Sequence, residues 1–482
     1  MRGAHAEPSP IRFGTDGWRA QIAHEFTFEN VARVAQAYAD FLKQQSADEG
    51  PGGGRRTPSV VVGYDRRFMS EHFALRAAEV LTGNGVAVRM FDADVPTPLV
   101  SWAVRERGAD GGVVITASHN PATFNGFKIK APWGGSATPE TTRSVEALVD
   151  ARAPRLSPLA AGAVGGLGPQ FESYRRQVES YIDLGRLRAA DAAVVIDSMH
   201  GTGGRWAESF LGGGRLRAET LRAGRDTLFG GCDPEPIDRN LGPLKARVRE
   251  AGALVGLATD GDADRVGAVN EIGETMTMHE VVPLILLHLA RRRRMEGGVV
   301  RTFSQSVLLK RIAAAHGLAL YETPIGFKYV ADLMLREPVL IGAEESGGIG
   351  VAGHLPERDG LLNTLLFLET VVASGRTPTE LVGEMHREFG EFHFGRRDLR
   401  VEVARGLALV ETLSARPPAR VEGHAVRSVE TLDGVKLLFA DESWLLFRQS
   451  GTEPLLRIYA EATSPAKRET LLEHGQRLAH SV

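Results

Sequence analysis

Short unbroken apolar runs, each stopping at a polar or glycine-rich turn, recur along the 482 residues of this chain. Val60-Val61-Val62-Gly63, Gly112-Val113-Val114-Ile115, Ala193-Val194-Val195-Ile196-Asp197 and Val299-Val300-Arg301-Thr302-Phe303-Ser304 are the clearest. Strands that read this way are buried on both faces, which happens when helices cover both sides of a parallel sheet. Helical spacing intervenes: Val31, Val34, Ala35, Tyr38 and Leu42 mark Phe28 to Gln44, and a second helix is expected from Phe73 to Gly83 before a strand at Val86 to Phe91. That β-α-β rhythm predicts an α/β unit, and the openings at Ala193 and Val299 predict two more of the same build. After Arg396 the pattern turns to β-like stretches such as Val435-Lys436-Leu437-Leu438-Phe439, with one helix at the end, which predicts a small α+β unit. Length alone exceeds one core. The expected domains are 1–188, 189–297, 298–395 and 396–482.

Composition excludes several classes. Hydrophobic content of 43% with 24% charged residues is ordinary for a globular chain, and a net charge of −3 gives no global pull toward nucleic acid or anionic membrane. The one local exception is Arg291-Arg292-Arg293-Arg294, which follows the apolar helix expected at Val281 to Leu289. Cations there suit a solvated helix C-terminus. Cys232 is the single cysteine, so a disulfide framework is excluded and a reducing compartment fits. No segment approaches the ~20 apolar residues of a membrane span, and residues 1–8 lack an apolar signal core. A cytoplasmic protein is expected, with a loose first ten residues and an exposed excursion from Asp48 to Pro58.

The chemistry centres on Thr116-Ala117-Ser118-His119-Asn120-Pro121. Ser118 falls just past the buried run ending at Ile115, where open α/β sheets place their ligand crevices. Pro121 forces Asn120 out of the helical region, so the serine sits on a short, constrained turn. Its hydroxyl could serve a turn or a cap. A hydrolase nucleophile should lie in Gly-x-Ser-x-Gly, which is absent. A phosphoryl carrier would need a cation, basic residues and anion-binding backbone nearby.

Thr259-Asp260-Gly261-Asp262-Ala263-Asp264-Arg265 offers the cation site. In an extended segment alternate side chains point one way, so Asp260, Asp262 and Asp264 are expected to converge, and three oxygen ligands suit Mg²⁺. A calcium EF-hand competes, with Glu271 at its twelfth position, but Arg265 occupies the sixth, where the loop needs glycine. The flanks Leu254 to Ala258 and Val266 to Val269 also read as strands. Gly342-Ala343-Glu344-Glu345-Ser346-Gly347-Gly348 sets carboxylates and a hydroxyl among small residues, which suits sugar hydroxyls. Arg448-Gln449-Ser450-Gly451-Thr452-Glu453-Pro454, with Arg457, offers charge, hydroxyls and backbone N–H groups to a phosphate.

Thr-Ala-Ser-His-Asn-Pro at 116–121 resembles the phosphoserine loop of the α-D-phosphohexomutases, the phosphoglucomutase and phosphomannomutase superfamily. The Asp-Gly-Asp-x-Asp-Arg stretch resembles that family's metal loop, 342–348 its sugar-recognition loop, and 448–454 its phosphate loop, in the family's order. Ile11-Arg12-Phe13-Gly14-Thr15-Asp16-Gly17-Trp18-Arg19, read as a short strand breaking into a turn, resembles the N-terminal segment whose arginine faces the reacting phosphate. The resemblance implies three α/β/α domains around a central cleft and a C-terminal α+β, TATA-binding-protein-like domain.

It also implies reversible phosphoryl transfer between the 1- and 6-positions of a hexose phosphate. The carrier would be phospho-Ser118, with Mg²⁺ as cofactor and a hexose 1,6-bisphosphate as intermediate and activator. Ser118, His119, Lys128, Arg265 and Arg358 would be catalytic, with Lys128 as the base if cations or desolvation lower its pKa. Ser118, Asp260, Asp262 and Asp264 would hold the metal. Arg19, Asn120, Lys328, Glu344, Ser346, Arg448, Ser450, Gly451, Thr452 and Arg457 would bind substrate. The partners implied are small hexose phosphates, with no nucleic acid or membrane, and the protein a monomer or homodimer. Three positions depart from the family pattern. Ala343 stands where glycine is usual, Gly348 where dual-specificity members carry histidine, and Arg358 where glucose-specific relatives have lysine. Gly348 and Trp18 count against the nearest alternative, a phosphoglucosamine mutase. A metal-dependent sugar phosphatase would not need the distal phosphate loop, and a non-catalytic relative would have little use for Ser118 and the aspartates together.

Overall fold

The computed structural model describes residues 11–14, 17–48, 56–450 and 454–481. They fall into two compact units: the described residues up to Thr275 with Gly353–Glu369, and Met276–Ala352 with the described residues from Thr370 onward.

The first unit holds two sheets. β1 (Trp18–Gln21), β2 (Ser59–Tyr64), β3 (Ala87–Met90), β4 (Gly111–Ile115) and β5 (Phe124–Lys130) pair in the order β1-β5-β4-β2-β3. β4 runs parallel to β2 but antiparallel to β5, so the parallel sheet expected around Ile115 is mixed. The reason is the serine loop itself, which spans only 116–123 and is too short for a helical crossover, so the chain returns as a hairpin. Helices Phe28–Asp48 and Ser70–Gly83 lay Val31, Val34, Ala35, Tyr38, Phe73 and Leu81 on this sheet against Val60, Val113 and Phe127. Ile11 to Gly14 form no strand; regular pairing begins at Trp18, so Arg19 lies inside β1 and not past its end. β6 (Ala193–Asp197), β7 (Arg217–Leu221), β8 (Val255–Thr259), β9 (Val266–Val269) and β10 (Thr275–Met276) form the second sheet, in the order β10-β9-β8-β6-β7.

In the second unit β11 (Gly298–Thr302), β12 (Leu320–Thr323), β13 (Val339–Ala343) and β14 (Ile349–Val351) make a third sheet, again parallel with one antiparallel edge. β15 (His393–Arg400), β16 (Arg420–Val421), β17 (His424–Glu430), β18 (Val435–Phe439), β19 (Trp444–Gln449) and β20 (Leu455–Ala462) form an antiparallel sheet. Its apolar face, Leu437, Leu445, Phe447, Leu456 and Ile458, packs Leu409 and Leu472. Those two leucines come from different helices, Val403–Ala415 and Pro465–His480, so the region has two helices where one was expected. Arg405 and Gly406 interrupt the first helix's apolar pattern, which hid it. The fold is thus three α/β/α domains and a C-terminal domain with a curled antiparallel sheet.

The helix at Met278–Leu287 continues into a π-turn at His288–Arg292, and Arg291 pairs with Glu388. The arginine run is a helix end, as its position suggested. No helix among the described residues is long and apolar enough to cross a membrane.

Glu461 organises the other face of the C-terminal sheet. Its buried carboxylate accepts from Ser306 Oγ at 2.5 Å, Val307 N at 2.9 Å and Trp444 Nε1 at 2.9 Å, at the N-terminus of helix Val307–Ala315. An anion there is favoured by the helix dipole. Beside it His279 stacks on Phe394 with centroids 3.7 Å apart and donates to Ser304 O at 2.9 Å. Burial pushes His279 down to about 4, with Glu461 opposing. The unfolded chain takes up this proton at about 6.5, the folded chain only near 4, so stability is lost as pH falls through that window. The full effect is about 3 kcal/mol. The urea midpoint should therefore drop between pH 7 and pH 4.5 in the native protein, and His279→Gln should flatten that dependence.

Candidate active site

Ser118 sits in the left-handed region, with φ of 53°. A residue with a side chain is held there only when its surroundings over-determine it. Ser118 N donates to Thr116 Oγ1 at 2.9 Å, and Thr116 Oγ1 donates to Asp65 at 2.6 Å. Arg67, fully buried, completes the cage: its guanidinium donates to the carbonyls of Ser118, Asn120, Pro121 and Phe124 at 2.6–3.0 Å. Asp65, 3.2 Å from Arg67 Nε, also accepts from Ser70 Oγ and Arg67 N.

The aspartates converge, but by a different route from the one expected. They lie on a turn, not an extended strand: Ala263 has φ of 58°, Ala263 N bonds Asp260 O, and Asp260 Oδ1 accepts from the backbone N–H of Asp264 and Arg265. The three carboxylates bring ligand atoms within 4.8 Å of one another and are fully buried. A Cβ at Gly261 would come within 2.4 Å of Ser118 O, so glycine is what lets this loop meet the serine loop. Ser118 Oγ then donates to Asp260 Oδ2 at 2.7 Å.

Charge around the cluster is balanced residue by residue. Lys128 Nζ lies 2.8 Å from Asp262 and 3.0 Å from Asp264; Arg358 Nη2 is 3.0 Å from Asp264; Thr97 Oγ1 donates to Asp262 at 2.7 Å. Burial and then the charges of Asp262 and Asp264 push Asp260 well above the usual carboxylate range. Burial acts the same way on Asp262 and Asp264, but Lys128 and Arg358 respectively outweigh it and hold both below that range. Asp262 Oδ1 and Asp264 Oδ1 are buried without a hydrogen-bond partner. Two orphaned carboxylate oxygens in a three-carboxylate cluster are what a hard cation satisfies, so the donor set fits a metal ion.

His119, half-buried, has Nδ1 3.4 Å from Ser118 Oγ. Burial, followed by Arg265, Arg19, Arg67 and Arg358, drives its pKa well down, so the ring is neutral near pH 7. Arg19 Nη1 donates to Asn120 Oδ1 at 2.8 Å, and Arg265 is buried with Nε 4.0 Å from Asp264. Lys128 is buried, which is one of the two conditions its role as base requires, and its near hydrogen-bonding neighbours are carboxylates. Ser118, His119, Asn120, Lys128, Arg19, Arg265, Arg358 and the aspartates therefore share one locale in the first unit. Arg358 belongs to the metal turn through Asp264, not only to the neighbourhood of the sugar loop by sequence.

The remaining candidates lie in the second unit. Glu344 is buried just past β13, with its N–H on Gly348 O; Ser346 follows on the same turn, and Ser304 Oγ donates to Glu345 at 2.8 Å. Lys328 lies in the first turn of helix Phe327–Arg336, with Nζ 5.1 Å from the Tyr329 ring. Arg448 and Arg457 are direct cross-strand partners on β19 and β20, and Arg448 pairs with Asp433 at 3.0 Å. Arg457 Nε is buried without a hydrogen-bond partner, and Asp398, opposite Arg457 on β15, accepts two bonds from Arg396. Like charges directly opposite destabilise a sheet unless an anion joins them. Tyr459, next to Arg396 in the register, has a buried, unpartnered hydroxyl that burial and then Glu345 hold protonated, at about 12. Ser450 N bonds Leu455 O, while Gly451 and Thr452 lie outside the described residues.

Comparison with known proteins decides the family. Phosphoglucomutase/phosphomannomutase alpha/beta/alpha domain I matches residues 10–155, domain II 172–273, domain III 278–389 and the C-terminal domain 399–474. The chain belongs to the phosphoglucomutase/phosphomannomutase family. It is 31% identical to a phosphoglucomutase/phosphomannomutase of Thermococcus kodakarensis, over 97% of this chain and 98% of that one. It is equally 31% identical to a phosphoglucosamine mutase of Clavibacter sepedonicus, over 98% of each. The crystal structure of a phosphomannomutase candidate from Thermus thermophilus superposes with a TM-score of 0.85 at 36% identity, covering 98% of this chain and all of that one. The chain is therefore a phosphohexomutase, an isomerase that works by phosphoryl transfer.

Sequence reading passed over Arg67, Thr97, Arg396 and Tyr459. Arg67 carried one available signal, since it closes the charged turn Asp65-Arg66-Arg67 at the C-terminal end of β2, beside the serine strand. Replacing it by lysine, which has a point charge and no planar fork, cannot hold four carbonyls. Displacing a reacting group by ~1 Å costs about 10²-fold. Arg67→Lys should lower kcat by about that factor, checked by initial rates on folded protein.

Proposed function

We propose that this phosphohexomutase interconverts glucose 1-phosphate and glucose 6-phosphate, with phospho-Ser118 as carrier and a glucose 1,6-bisphosphate intermediate. The observation that carries the reading is the 2.7 Å bond from Ser118 Oγ to Asp260 inside a buried, three-carboxylate cluster rimmed by arginine and lysine. Neither a cap nor a turn serine needs such surroundings.

Phosphoryl transfer depends on placing the reactants and on stabilising the charge of the transferring group. Asp260, Asp262 and Asp264, with Ser118, are the groups that would hold Mg²⁺, which supplies positive charge at a phosphoryl oxygen. The strained turn fixes Ser118 so that its phosphoryl group points at the incoming hydroxyl. Arg265 and Arg358 neutralise its oxygens, and Arg19 with Asn120 orients the phosphorylated loop. The O–P bond to Ser118 breaks as the bond to the sugar hydroxyl forms, and Lys128, beside Asp262 and Asp264, relays the proton: its ammonium gives one to the leaving Ser118 oxygen and takes the sugar hydroxyl's in exchange. In the return step Ser118 Oγ takes the sugar's other phosphoryl group, and Lys128 relays the serine proton to the freed sugar oxygen. His119, neutral, orients the serine and takes no part in the proton transfer. In the second unit Glu344, Ser346 and Lys328 contact the sugar. Arg448, Ser450, Gly451, Thr452 and Arg457 hold the phosphate that is not reacting.

Glucosamine phosphates are the second reading. A relative as similar as the phosphoglucosamine mutase of Clavibacter sepedonicus favours it, and so do the adjacent carboxylates Glu344 and Glu345, which suit a 2-ammonium group.

Phosphorus NMR with enzyme, Mg²⁺ and a trace of the bisphosphate should show glucose 1-phosphate converting to the 6-phosphate faster than glucosamine or mannose 1-phosphate. The reverse order would move the assignment to the other sugar, and release of inorganic phosphate would make the protein a phosphatase. Ser118→Ala should abolish turnover, and near-normal activity would remove the carrier role. Asp262→Asn should lower activity at least about 10²-fold and weaken its Mg²⁺ dependence.

A further inference from the structure

Three consecutive charged residues, Glu357, Arg358 and Asp359, are at most 2% exposed, and each has its own partners. Glu357 Oε2 accepts from Lys130 Nζ at 2.7 Å and Ser136 Oγ at 2.9 Å, while Oε1 accepts from the N–H of Arg358 at 2.9 Å. Asp359 accepts from Tyr174 Oη at 2.8 and 3.0 Å, from the N–H of Leu362 at 2.9 Å, and lies 2.9 Å from His354 Nε2. His354 is in turn stacked on Trp102, with ring planes 9° apart. Between these two anchors, Arg358 reaches Asp264 at 3.0 Å. The next residue, Gly360, donates its N–H to Ala263 O at 3.0 Å, and a Cβ there would meet Arg265 O at 2.6 Å. The chain just after the tripeptide is thus pressed onto the backbone of the metal turn. It arrives on a segment, Gly353–Glu369, that belongs to the first unit although the chain on either side belongs to the second.

We propose that Lys130, Glu357, Asp359 and Tyr174 form a clip that fixes Arg358 on Asp264, and are positioning residues for phosphoryl transfer. The proposal rests on the reading that Arg358 acts on the transferring phosphoryl group. Buried ion pairs are poor stabilisers compared with apolar side chains of the same volume. What they provide is a specified geometry, because a buried charge has only one place where its partner waits. Arginine carries about 2 kcal/mol of rotamer entropy, so a guanidinium needed in one place is best anchored from both flanking residues. Lys130 follows Lys128 on the same face of β5, so one strand supplies the cation for Asp262 and Asp264 and the cation for Glu357.

The test is steady-state kinetics on full-length Glu357→Gln, Tyr174→Phe, Arg358→Lys and the Glu357→Gln/Arg358→Lys double variant, with thermal melts alongside. Tyr174→Phe removes only a hydroxyl and keeps the question open to measurement if Glu357→Gln folds poorly. Each clip variant should lower kcat about 10-fold or more with KM changed less than about threefold, the pattern of a contact made only in the transition state. The double variant should lose no more than Arg358→Lys alone, since residues acting through one group are not additive. A fall in melting temperature with kcat intact, or losses that multiply in the double variant, would overturn the clip. Full activity in Arg358→Lys is a separate outcome: it would remove Arg358 from the reaction and overturn the reading beneath the clip.

Discussion

Three carboxylates buried within 4.8 Å of one another repel, and the first unit is arranged around satisfying them. Asp260 is relieved by Ser118 Oγ and two backbone N–H groups, Asp262 by Lys128 and Thr97, Asp264 by Lys128 and Arg358. Those partners come from the serine loop, β5, the start of helix Thr97–Arg107 and the Gly353–Glu369 segment. Two oxygens stay unpartnered, which leaves the cluster short of positive charge in a way a divalent cation corrects. The same shortage explains why cations from distant parts of the chain gather at one place.

The serine loop shows how the fold stores geometry. β4 ends at Ile115 and β5 begins at Phe124, so the loop closes a hairpin and cannot relax by extending. Its left-handed serine is tolerated because Arg67 binds three of its carbonyls and the first carbonyl of β5. Arg67 is itself fixed by Asp65, which also holds Thr116 and Ser70. A mobile serine would have to be placed anew in each turnover; here that ordering is completed on folding. In the second unit the C-terminal sheet divides its two faces similarly. One face is apolar core, and the other runs from the sealed Phe394–Glu461–Trp444 row to the Arg448–Arg457 row, where two guanidinium groups lie opposite each other.

Much of this was legible in the chain. The apolar runs marked β2, β4, β6, β8, β11 and β13 because strands covered on both faces leave no polar alternation to confuse the pattern. The three aspartates marked a cation site by residue type and spacing. Legibility ended where backbone direction mattered. Asp260, Asp262 and Asp264 meet through a turn closed by Ala263 in the left-handed region, which alternation along a strand would not have produced. The helix Val403–Ala415 stayed hidden because a charged and a glycine residue break its apolar spacing, and packing against Phe447 and Leu456 overrides that local weakness.

By itself the sequence determined which groups are chemically able to act: a serine at a strand end, three carboxylates, and arginines beside hydroxyls, in an order that matches one family. Those properties belong to residue types and short spacings, and they survive without knowledge of distant contacts. Tertiary structure alone decided which groups touch. Arg67 under the serine loop, Arg358 on Asp264 and Lys130 on Glu357 join residues tens to hundreds of positions apart. Their placement depends on the register and closure of whole sheets, because a buried charge is located by where its counter-charge ends up after the core has packed.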